Sequence, residues 1–345
     1  MFSTLSNITV SSLKYKFFGQ RTPIVLSIGI TSRCNLQCSY CYSAKDNLSA
    51  KDVDLEHVTK TIEEFYALGT RVVMLQGGEP LLHKDIAKII DYVKSKNMYC
   101  SVTTNGVNFN KYIDSLKKVN QVQLSIDGNE ELTDRSRGRG AYKMIINAAN
   151  VCQKNRIPFH FHTVIMNSTT VENSLDHLIA LADEYKTYLN FCTPNPTGSA
   201  EGKTLADNKH IQNFYEIILE RKKNNAIYTN NSYHGIKSMI EWIKRPVPYY
   251  EYVAVKDPEA KRYPRCIMGD LVCWLDSDGM LHPCAVKYGQ DDFSCSTKEH
   301  GVKEAWKSLK VLPCYFCGNS LEFNNLFNFK LESVVNSLKF IFKRN

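Results

Sequence analysis

The stretch Cys34-Asn35-Leu36-Gln37-Cys38-Ser39-Tyr40-Cys41 places three cysteines within eight residues. It follows an apolar, β-rich segment at residues 24–30, which predicts a strand. The cysteines are therefore expected on a loop at the carboxyl end of a strand, where α/β barrels carry their chemistry. A cubane iron–sulfur cluster normally takes four thiolates, so three thiolates leave one iron open to a small molecule. A zinc site is the alternative, although zinc sites usually combine paired C-x2-C units.

The segments that follow alternate between strand and helix. Strands are predicted at residues 24–30, 71–76, 98–103, 121–126, 159–166 and 187–192, with amphipathic helices at 55–68, 86–96, 142–154 and 171–185. Such alternation indicates a parallel sheet with helices outside it. About six strand–helix units fit, fewer than the eight of a closed barrel. The predicted fold is therefore α/β, a partial (β/α)6 TIM-like barrel with a small C-terminal α+β cysteine-rich extension.

Polar motifs stand where three of these strands end. They are Gln76-Gly77-Gly78-Glu79-Pro80, Thr103-Thr104-Asn105-Gly106 and Ser125-Ile126-Asp127-Gly128. Two adjacent glycines allow a ligand to approach the backbone closely, and Glu79 adds one acceptor at the barrel mouth. Short polar side chains at the other two strand ends suit a polar ligand. Turn formation by the Asn-Gly and Asp-Gly pairs is the alternative for those two motifs.

Composition and charge restrict the class of protein. The 345 residues are 43% hydrophobic and 23% charged, which is ordinary for a globular chain with a substantial core. We find no apolar run long enough to span a bilayer and no export signal, so the expected location is the cytoplasm. The net charge of +8 comes without a nucleic-acid-binding module, and no nucleic acid partner is expected. The 12 cysteines are grouped, which in a reducing compartment favours metal ligation over disulfides.

The front motif, C-x3-C-x2-C with an aromatic residue before the last cysteine, resembles the cluster motif of the radical SAM enzymes. This resemblance implies that Cys34, Cys38 and Cys41 hold a [4Fe-4S] cluster whose open iron binds S-adenosylmethionine. It also implies an enzyme in which one electron from the cluster splits the cofactor into methionine and a 5′-deoxyadenosyl radical. That radical abstracts hydrogen from an unactivated carbon. A flavodoxin or ferredoxin is the implied electron donor.

The resemblance also assigns residues to the S-adenosylmethionine pocket. Gly77, Gly78 and Glu79 match the motif that binds the cofactor's amino group. Arg137 matches an arginine that contacts its carboxylate, and Tyr40 lies beside the open iron. The remaining implied pocket residues stand at strand ends: Thr104, Asn105, Ser125, Asp127, Asn167 and residues 196–198. Asp127 is alternatively a residue that faces the substrate.

A second cysteine group lies beyond the barrel. Cys266 is followed by twelve residues, Gly279, four residues and Cys284, with a predicted hairpin between the two cysteines. This spacing resembles the element that opens the SPASM and twitch extensions of radical SAM enzymes. No cysteine follows Cys317, which indicates the shorter twitch type with one auxiliary [4Fe-4S] cluster. The expected ligands are Cys266, Cys284, Cys314 and Cys317, with Cys273 as an alternative ligand and a structural zinc as the alternative metal.

These features divide the chain into five predicted parts. They are an N-terminal extension (1–22), the barrel (23–215), linker helices (216–260), the auxiliary-cluster domain (261–320) and a C-terminal amphipathic helix (321–345). Apolar residues form a stripe over residues 326–342, and residues 13–18 mix basic with aromatic side chains. Packing of the C-terminal helix on its own domain is the preferred interpretation. A patch peripheral to a membrane is the alternative.

The substrate is less restricted than the chemistry. Relatives with such an extension suggest modification of a peptide, a protein or another natural product. A small molecule is a further option, and a lipid or isoprenoid is the runner-up because of the apolar, basic C-terminal helix. A hypothesis of a different class is a non-catalytic iron–sulfur or zinc protein, which predicts no turnover.

Overall fold

The computed structural model describes residues 2–42, 52–167, 172–195, 206–244, 263, 265–287, 291–311, 314–315, 321–327, 329–330 and 332–335. Six strands form the barrel part: β1 (Val25–Gly29), β2 (Val72–Gln76), β3 (Tyr99–Thr104), β4 (Gln121–Ser125), β5 (Phe159–Val164) and β6 (Leu189–Cys192). Each pairs in parallel with the next, in chain order. The predicted strands are all present, with ends shifted by two residues at most.

Helices connect these strands. They are α2 (Leu55–Leu68), α3 (Ile86–Ser95), α4 (Ile113–Leu116), α5 (Glu130–Arg137), α6 (Ala141–Asn155) and α7 (Glu172–Glu184), while α1 (Phe2–Phe18) precedes β1. Asp54 begins α2 by accepting a hydrogen bond from the Glu56 amide, and Gly69 ends it in the left-handed conformation. After β6 come α8 (Asn208–Lys223) and α9 (Tyr233–Ile243). The predicted boundary between residues 215 and 216 falls inside α8, so it does not coincide with the end of an element.

The C-terminal extension continues the same sheet. β7 (Val272–Leu275) pairs in parallel with β1 on the side away from β2, and Val25 stands opposite Val272. β8 (Met280–His282) and β9 (Cys295–Ser296) follow in antiparallel order, and α10 (Thr297–Ser308) and α11 (Leu321–Phe327) come after them. The resulting order is β6-β5-β4-β3-β2-β1-β7-β8-β9, an open sheet. The predicted partial barrel with a small α+β extension is confirmed.

The two faces of the barrel strands differ in polarity because side chains alternate along a strand. Val73 and Leu75 of β2, and Val122 and Leu124 of β4, lie in the main core with residues of the surrounding helices. The opposite face, here called the inner face, carries the residues between them. Hydrophobic burial on the helix-facing side therefore fixes which side chains the inner face presents.

Helices α1 and α11 both pack at the amino-terminal end of the inner face. Ile8 and Tyr15 of α1 and Phe323 of α11 pack against a second, smaller core that contains Val25 and Val272. This contact favours the interpretation that the C-terminal segment packs on its own domain. Of the predicted helix at 321–345, α11, residues 329–330 and the helical turn at 332–335 are described, and the rest lies outside the described residues. In the described ranges, no helix is long and apolar enough to cross a membrane.

Candidate active site

The cysteine loop leaves the carboxyl end of β1. Cys34, Cys38 and Cys41 are all partly exposed, and no described cysteine forms a disulfide. The Cys41 amide donates to the Cys38 carbonyl at 3.1 Å, which makes the end of the loop a tight turn. The Leu36 amide and the Asn105 side-chain nitrogen lie 3.5 Å and 3.9 Å from Cys34 Sγ. Amide groups aimed at a sulfur are the usual surroundings of a cluster ligand.

The two glycines after β2 pack against the cysteine loop. The Gly78 amide donates to the Thr31 carbonyl and the Glu79 amide to the Arg33 carbonyl, both at 2.8 Å. A Cβ added to Gly77 would lie 2.2 Å from the Thr31 oxygen, and one added to Gly78 would lie 2.2 Å from the Arg33 oxygen. We expected these glycines to leave room for a ligand. Instead, the close approach they permit is made by the backbone that precedes Cys34.

Glu79 follows β2, and its side chain is hydrogen-bonded to the end of β3. Its side chain is 1% exposed and accepts hydrogen bonds from Leu81 N at 2.9 Å, Thr104 Oγ1 at 2.7 Å and Asn105 N at 2.7 Å. Burial nevertheless raises the pKa of Glu79 to about 7, because the three donors only partly offset the loss of water. A cationic group placed beside this carboxylate would restore its charged form. The predicted contact with the amino group of S-adenosylmethionine is therefore chemically reasonable for Glu79.

The raised pKa of Glu79 predicts a specific pH dependence of stability. Between the ordinary glutamate pKa of 4.5 and about 7, the folded protein retains a proton that the unfolded chain has released. The contribution of Glu79 to stability therefore falls as the pH rises through this window. Relative to the wild type, Glu79→Gln is expected to gain up to about 3 kcal/mol of unfolding free energy between these pH values.

Urea denaturation of the cluster-free protein at pH 5, 6, 7 and 8 measures this difference. His160 and His162 also titrate differently in the folded and unfolded chains, since burial lowers their pKa values to about 3 and about 4. Both histidines are present in wild type and variant, so their effect cancels in the difference. A difference that stays constant with pH would contradict the assignment of a raised pKa to Glu79.

Asp127, at the carboxyl end of β4, is fully buried and holds the cysteine loop from the other side. Its two oxygens lie 2.9 Å and 2.8 Å from Nη2 and Nε of Arg137, which is 6% exposed. Tyr40 Oη donates to the same carboxylate at 2.9 Å, and Ser136 Oγ donates at 2.7 Å. The adjacent Ser39 amide donates to the Ser136 carbonyl at 2.9 Å. Two residues between Cys38 and Cys41 are thus tied to Asp127 and α5.

This network connects three residues that were expected to line the cofactor pocket, Tyr40, Asp127 and Arg137. The Asp127 carboxylate holds the pKa of Arg137 above its ordinary value in spite of burial, so the guanidinium stays charged. The Arg137 guanidinium lies 5.4 Å from the centre of the Tyr40 ring. With its carboxylate oxygens engaged and no exposed surface, Asp127 does not face a substrate in this structure. In this structure Asp127 anchors the cysteine loop, and its roles toward the cofactor or the substrate stay predictions.

A further ion pair supports the start of the loop, and we did not predict it from the sequence. Arg33 donates from Nε and Nη2 to the two oxygens of Asp52, both at 2.9 Å, and Thr31 Oγ1 donates to Asp52 at 3.0 Å. Asp52 lies 19 residues after Arg33 in the chain. Bidentate pairing of this kind adds geometric precision as well as energy. It holds the backbone that contacts Gly78.

The inner face of the sheet is polar over β4, β5 and β6. His160 bridges Gln121 and Gln123 at 3.0 Å and 3.1 Å. His162 lies 3.1 Å from Asn190 Nδ2 and 3.2 Å from Cys192 Sγ. We did not identify this set from the sequence, although the alternation in Gln121-Val122-Gln123-Leu124-Ser125 and Phe159-His160-Phe161-His162 was visible. Because both imidazoles have lowered pKa values, these side chains form a neutral, hydrogen-bonding surface near neutral pH.

Three other predicted pocket residues lie at the ends of their strands, whereas Asn167 lies beyond the end of β5. Ser125 is buried at the end of β4, and Thr104 and Asn105 contact Glu79. Asn167 is exposed, and its side chain contacts Asp207 at the start of α8. Asn167 therefore supports a helix end here, and residues 196–198 lie outside the described residues.

The structure brings two of the predicted auxiliary ligands together. The Cys266 amide donates to the Cys314 carbonyl at 2.8 Å, and both cysteines are buried. Cys284 follows β8, so the β7–β8 hairpin predicted between Cys266 and Cys284 is present. Cys273 is 0% exposed in the main core, with Sγ 3.9 Å from the Val25 carbonyl, and its place as an alternative ligand stays a prediction. Cys317 lies outside the described residues.

In the described part of the chain, no three His, Cys, Asp or Glu side chains are close enough to one another to hold a metal ion. Burial raises the pKa values of Cys34 and Cys38 to about 12 and about 11. Bound metal would supply the positive charge that favours their thiolates. Three thiols on one short loop, with amide donors at Cys34, are a donor set that fits an iron–sulfur cluster with one open iron.

Several known proteins are similar to this chain in sequence, and others are similar to it in fold. Residues 28–181 match the family model of the Radical SAM superfamily. The mycofactocin maturase MftC of Mycolicibacterium smegmatis is 26% identical over 196 residues, which cover 56% of this chain and 49% of MftC. A GTP 3′,8-cyclase of Clostridium botulinum is 26% identical over 271 residues, which cover 75% of this chain and 80% of the cyclase. The chain thus spans about half of the length of MftC.

The fold has a solved counterpart in Streptococcus suis SuiB bound to its precursor peptide SuiA. SuiB has a TM-score of 0.65 and 17% identity over 88% of this chain and 69% of its own. This likeness concerns the fold alone. The cysteine loop, the Gly-Gly-Glu motif and Asp127 all fall inside residues 28–181. This matched segment, residues 28–181, is a radical SAM domain.

Proposed function

We propose that this enzyme uses S-adenosylmethionine and a [4Fe-4S] cluster on Cys34, Cys38 and Cys41 to abstract hydrogen from an unactivated carbon of a peptide or protein. When bound, the cluster and the cofactor supply an electron and a primary carbon radical. The protein's own part is to place the cofactor, keep water out and orient the substrate. Glu79 would hold the cofactor's amino group, and the Asp127 network would keep the cysteine loop in place.

The observation that carries the choice of substrate is the neutral, polar inner face. Gln123, His162 and Asn190 offer amide and imidazole groups to whatever enters the barrel. Peptide groups would satisfy such side chains with hydrogen bonds. A hydrocarbon chain could not pair with the donors and acceptors that these side chains do not already share with one another, at a cost of about 1–3 kcal/mol for each such group. The inner face therefore favours a peptide over the lipid or isoprenoid alternative.

MftC and SuiB agree with the choice of a peptide substrate, and the GTP 3′,8-cyclase does not. MftC is a maturase, and SuiB was solved with its precursor peptide. The GTP 3′,8-cyclase acts on a nucleotide, whose triphosphate would need cationic side chains. On the described inner face of β4 to β6 the side chains are neutral, and the nearby Arg137 of α5 is paired with Asp127. A peptide or protein substrate is the better match.

An auxiliary [4Fe-4S] cluster on Cys266, Cys284, Cys314 and Cys317 belongs to the same proposal. The backbone contact between Cys266 and Cys314 and the hairpin before Cys284 support it. A flavodoxin or ferredoxin is the proposed electron donor. Iron and sulfide analysis would distinguish two clusters from one cluster plus zinc.

A triple variant tests the central claim. Cys34→Ala, Cys38→Ala and Cys41→Ala together are expected to abolish 5′-deoxyadenosine release, because they remove the protein ligands of the cluster. The measurement is anaerobic reconstitution with iron and sulfide, reduction by dithionite, and detection of 5′-deoxyadenosine from S-adenosylmethionine. Electron paramagnetic resonance of the reduced protein should lose one [4Fe-4S] signal. Cys152→Ala, a buried thiol on α6, is the matched control and should keep both signals.

Wild-type protein that releases no 5′-deoxyadenosine under these conditions would refute the proposed activity. The substrate class is tested separately, by adding short peptides encoded beside the gene or, in parallel, farnesol in detergent. Peptide-dependent stimulation of 5′-deoxyadenosine release, with loss of hydrogen from the peptide, supports the proposal. Stimulation by farnesol alone would favour the isoprenoid alternative.

A further inference from the structure

A thiol and an imidazole form a close pair on the inner face. Cys192, the last residue of β6, has its Sγ 3.2 Å from Nε2 of His162 on the neighbouring β5. The other ring nitrogen, Nδ1, lies 3.1 Å from Nδ2 of Asn190. Cys192 and His162 are both partly exposed. The pair therefore lies on the surface of the sheet that a bound substrate would contact.

Hydrogen bonding and burial keep both members of the pair neutral. Because the Asn190 amide donates to Nδ1, the imidazole proton is on Nε2 and is donated to the sulfur. Burial raises the pKa of the Cys192 thiol to about 12, and burial lowers the pKa of His162 to about 4 with help from Arg137. Cys192 thus retains its S–H hydrogen near neutral pH. This state is unsuited to nucleophilic attack, which needs the thiolate.

The position of the pair relates it to the cysteine loop. Cys192 and His162 both interact electrostatically with Asp127 and Arg137, the residues that hold the loop. On the described strands β1 to β6 the other cysteine is Cys100, which is fully buried in the core on the helix-facing side. An S–H bond is weaker than an aliphatic C–H bond. A carbon radical formed in the barrel would therefore take hydrogen readily from Cys192.

We propose that Cys192 is a hydrogen-atom donor to carbon radicals formed inside the barrel, an inference that rests on the proposed radical function. In this step the S–H bond breaks homolytically, a C–H bond forms on the radical carbon, and the sulfur is left with one unpaired electron. The one-electron iron–sulfur or flavin donor that reduces the cluster then reduces the sulfur to a thiolate. The Nε2–H group of His162 stabilises that thiolate by hydrogen bonding, and a proton from solvent restores the thiol.

Isotopic composition tests this proposal without knowledge of the substrate. S–H hydrogen exchanges with solvent, whereas carbon-bound hydrogen does not. In D2O, with S-adenosylmethionine, dithionite and no added thiol or peptide, wild-type enzyme is expected to release 5′-deoxyadenosine that carries a single deuterium. Mass spectrometry reads the deuterated fraction, which does not depend on how much of the enzyme is active.

Cys192→Ala and Cys192→Ser are both expected to lose this label while still releasing 5′-deoxyadenosine. Serine retains a group that can accept the His162 hydrogen bond, but its O–H bond is too strong to donate a hydrogen atom. Cys152→Ala is the matched control and should keep the label. Undeuterated 5′-deoxyadenosine from the wild type, or a label that persists in both Cys192 variants, would overturn the role of Cys192 and leave the proposed function intact. Absence of any 5′-deoxyadenosine would refute both.

Discussion

Gly78→Ala is expected to displace the cysteine loop and to prevent cluster assembly. The added Cβ would lie 2.2 Å from the Arg33 carbonyl oxygen and 2.7 Å from that of Ser32, and both contacts are with backbone that cannot rotate away. Overpacking of this kind costs about 1–3 kcal/mol. Losing the hydrogen bonds to Thr31 and Arg33 costs a further 0.5–1.5 kcal/mol or so for each.

The measurement has two parts, iron bound per chain after anaerobic reconstitution and the free energy of unfolding in urea. Both are expected to fall in Gly78→Ala. Gly29→Ala is the matched control, because a Cβ at Gly29 meets its nearest atom at 3.4 Å, an ordinary contact. Gly29 also lies at the end of a strand beside the same loop. Normal iron binding by Gly78→Ala would show that the loop tolerates the shift and would contradict its role in positioning the cysteines.

Asp127→Asn is expected to be the most destabilising single change in the site. Asparagine keeps the shape of the side chain but leaves the buried Arg137 guanidinium without a counter-charge. Breaking a buried ion pair in this way typically costs about 3–5 kcal/mol. The Tyr40 and Ser136 hydroxyls would also lose a charged acceptor. Urea denaturation measures the stability, and iron content measures the effect on the cysteine loop.

Two controls separate the buried pair from a general effect of charge. Asp176 pairs with Arg221 at 2.9 Å on the surface, so Asp176→Asn should change the stability by at most about 1 kcal/mol. The double variant Asp127→Asn/Arg137→Gln removes both charges and is expected to recover part of the lost stability. If Asp127→Asn behaves like Asp176→Asn, the network does not anchor the loop.

Local patterns were sufficient to predict the architecture. Strand and helix periodicities depend on neighbours in the chain, which is why α2 was predicted with its observed bounds and all six barrel strands were found. The hairpin between Cys266 and Cys284 was predicted for the same reason, since an Asp-Gly turn is a local signal. The continuation of the barrel sheet through β7 was not predicted, because pairing of β7 with β1 joins residues almost 250 positions apart.

Sequence patterns were enough to establish that three cysteines follow a strand, that this strand belongs to a parallel sheet, and which strand ends carry polar groups. Those cysteines, the glycines and Glu79 were found because each motif is contiguous. What each side chain contacts became known only from the folded structure. It placed the loop backbone against Gly77 and Gly78, joined Asp127 to Arg137 and Tyr40, and set Cys192 beside His162. Such contacts depend on strand register and on burial, which are properties of the folded chain as a whole.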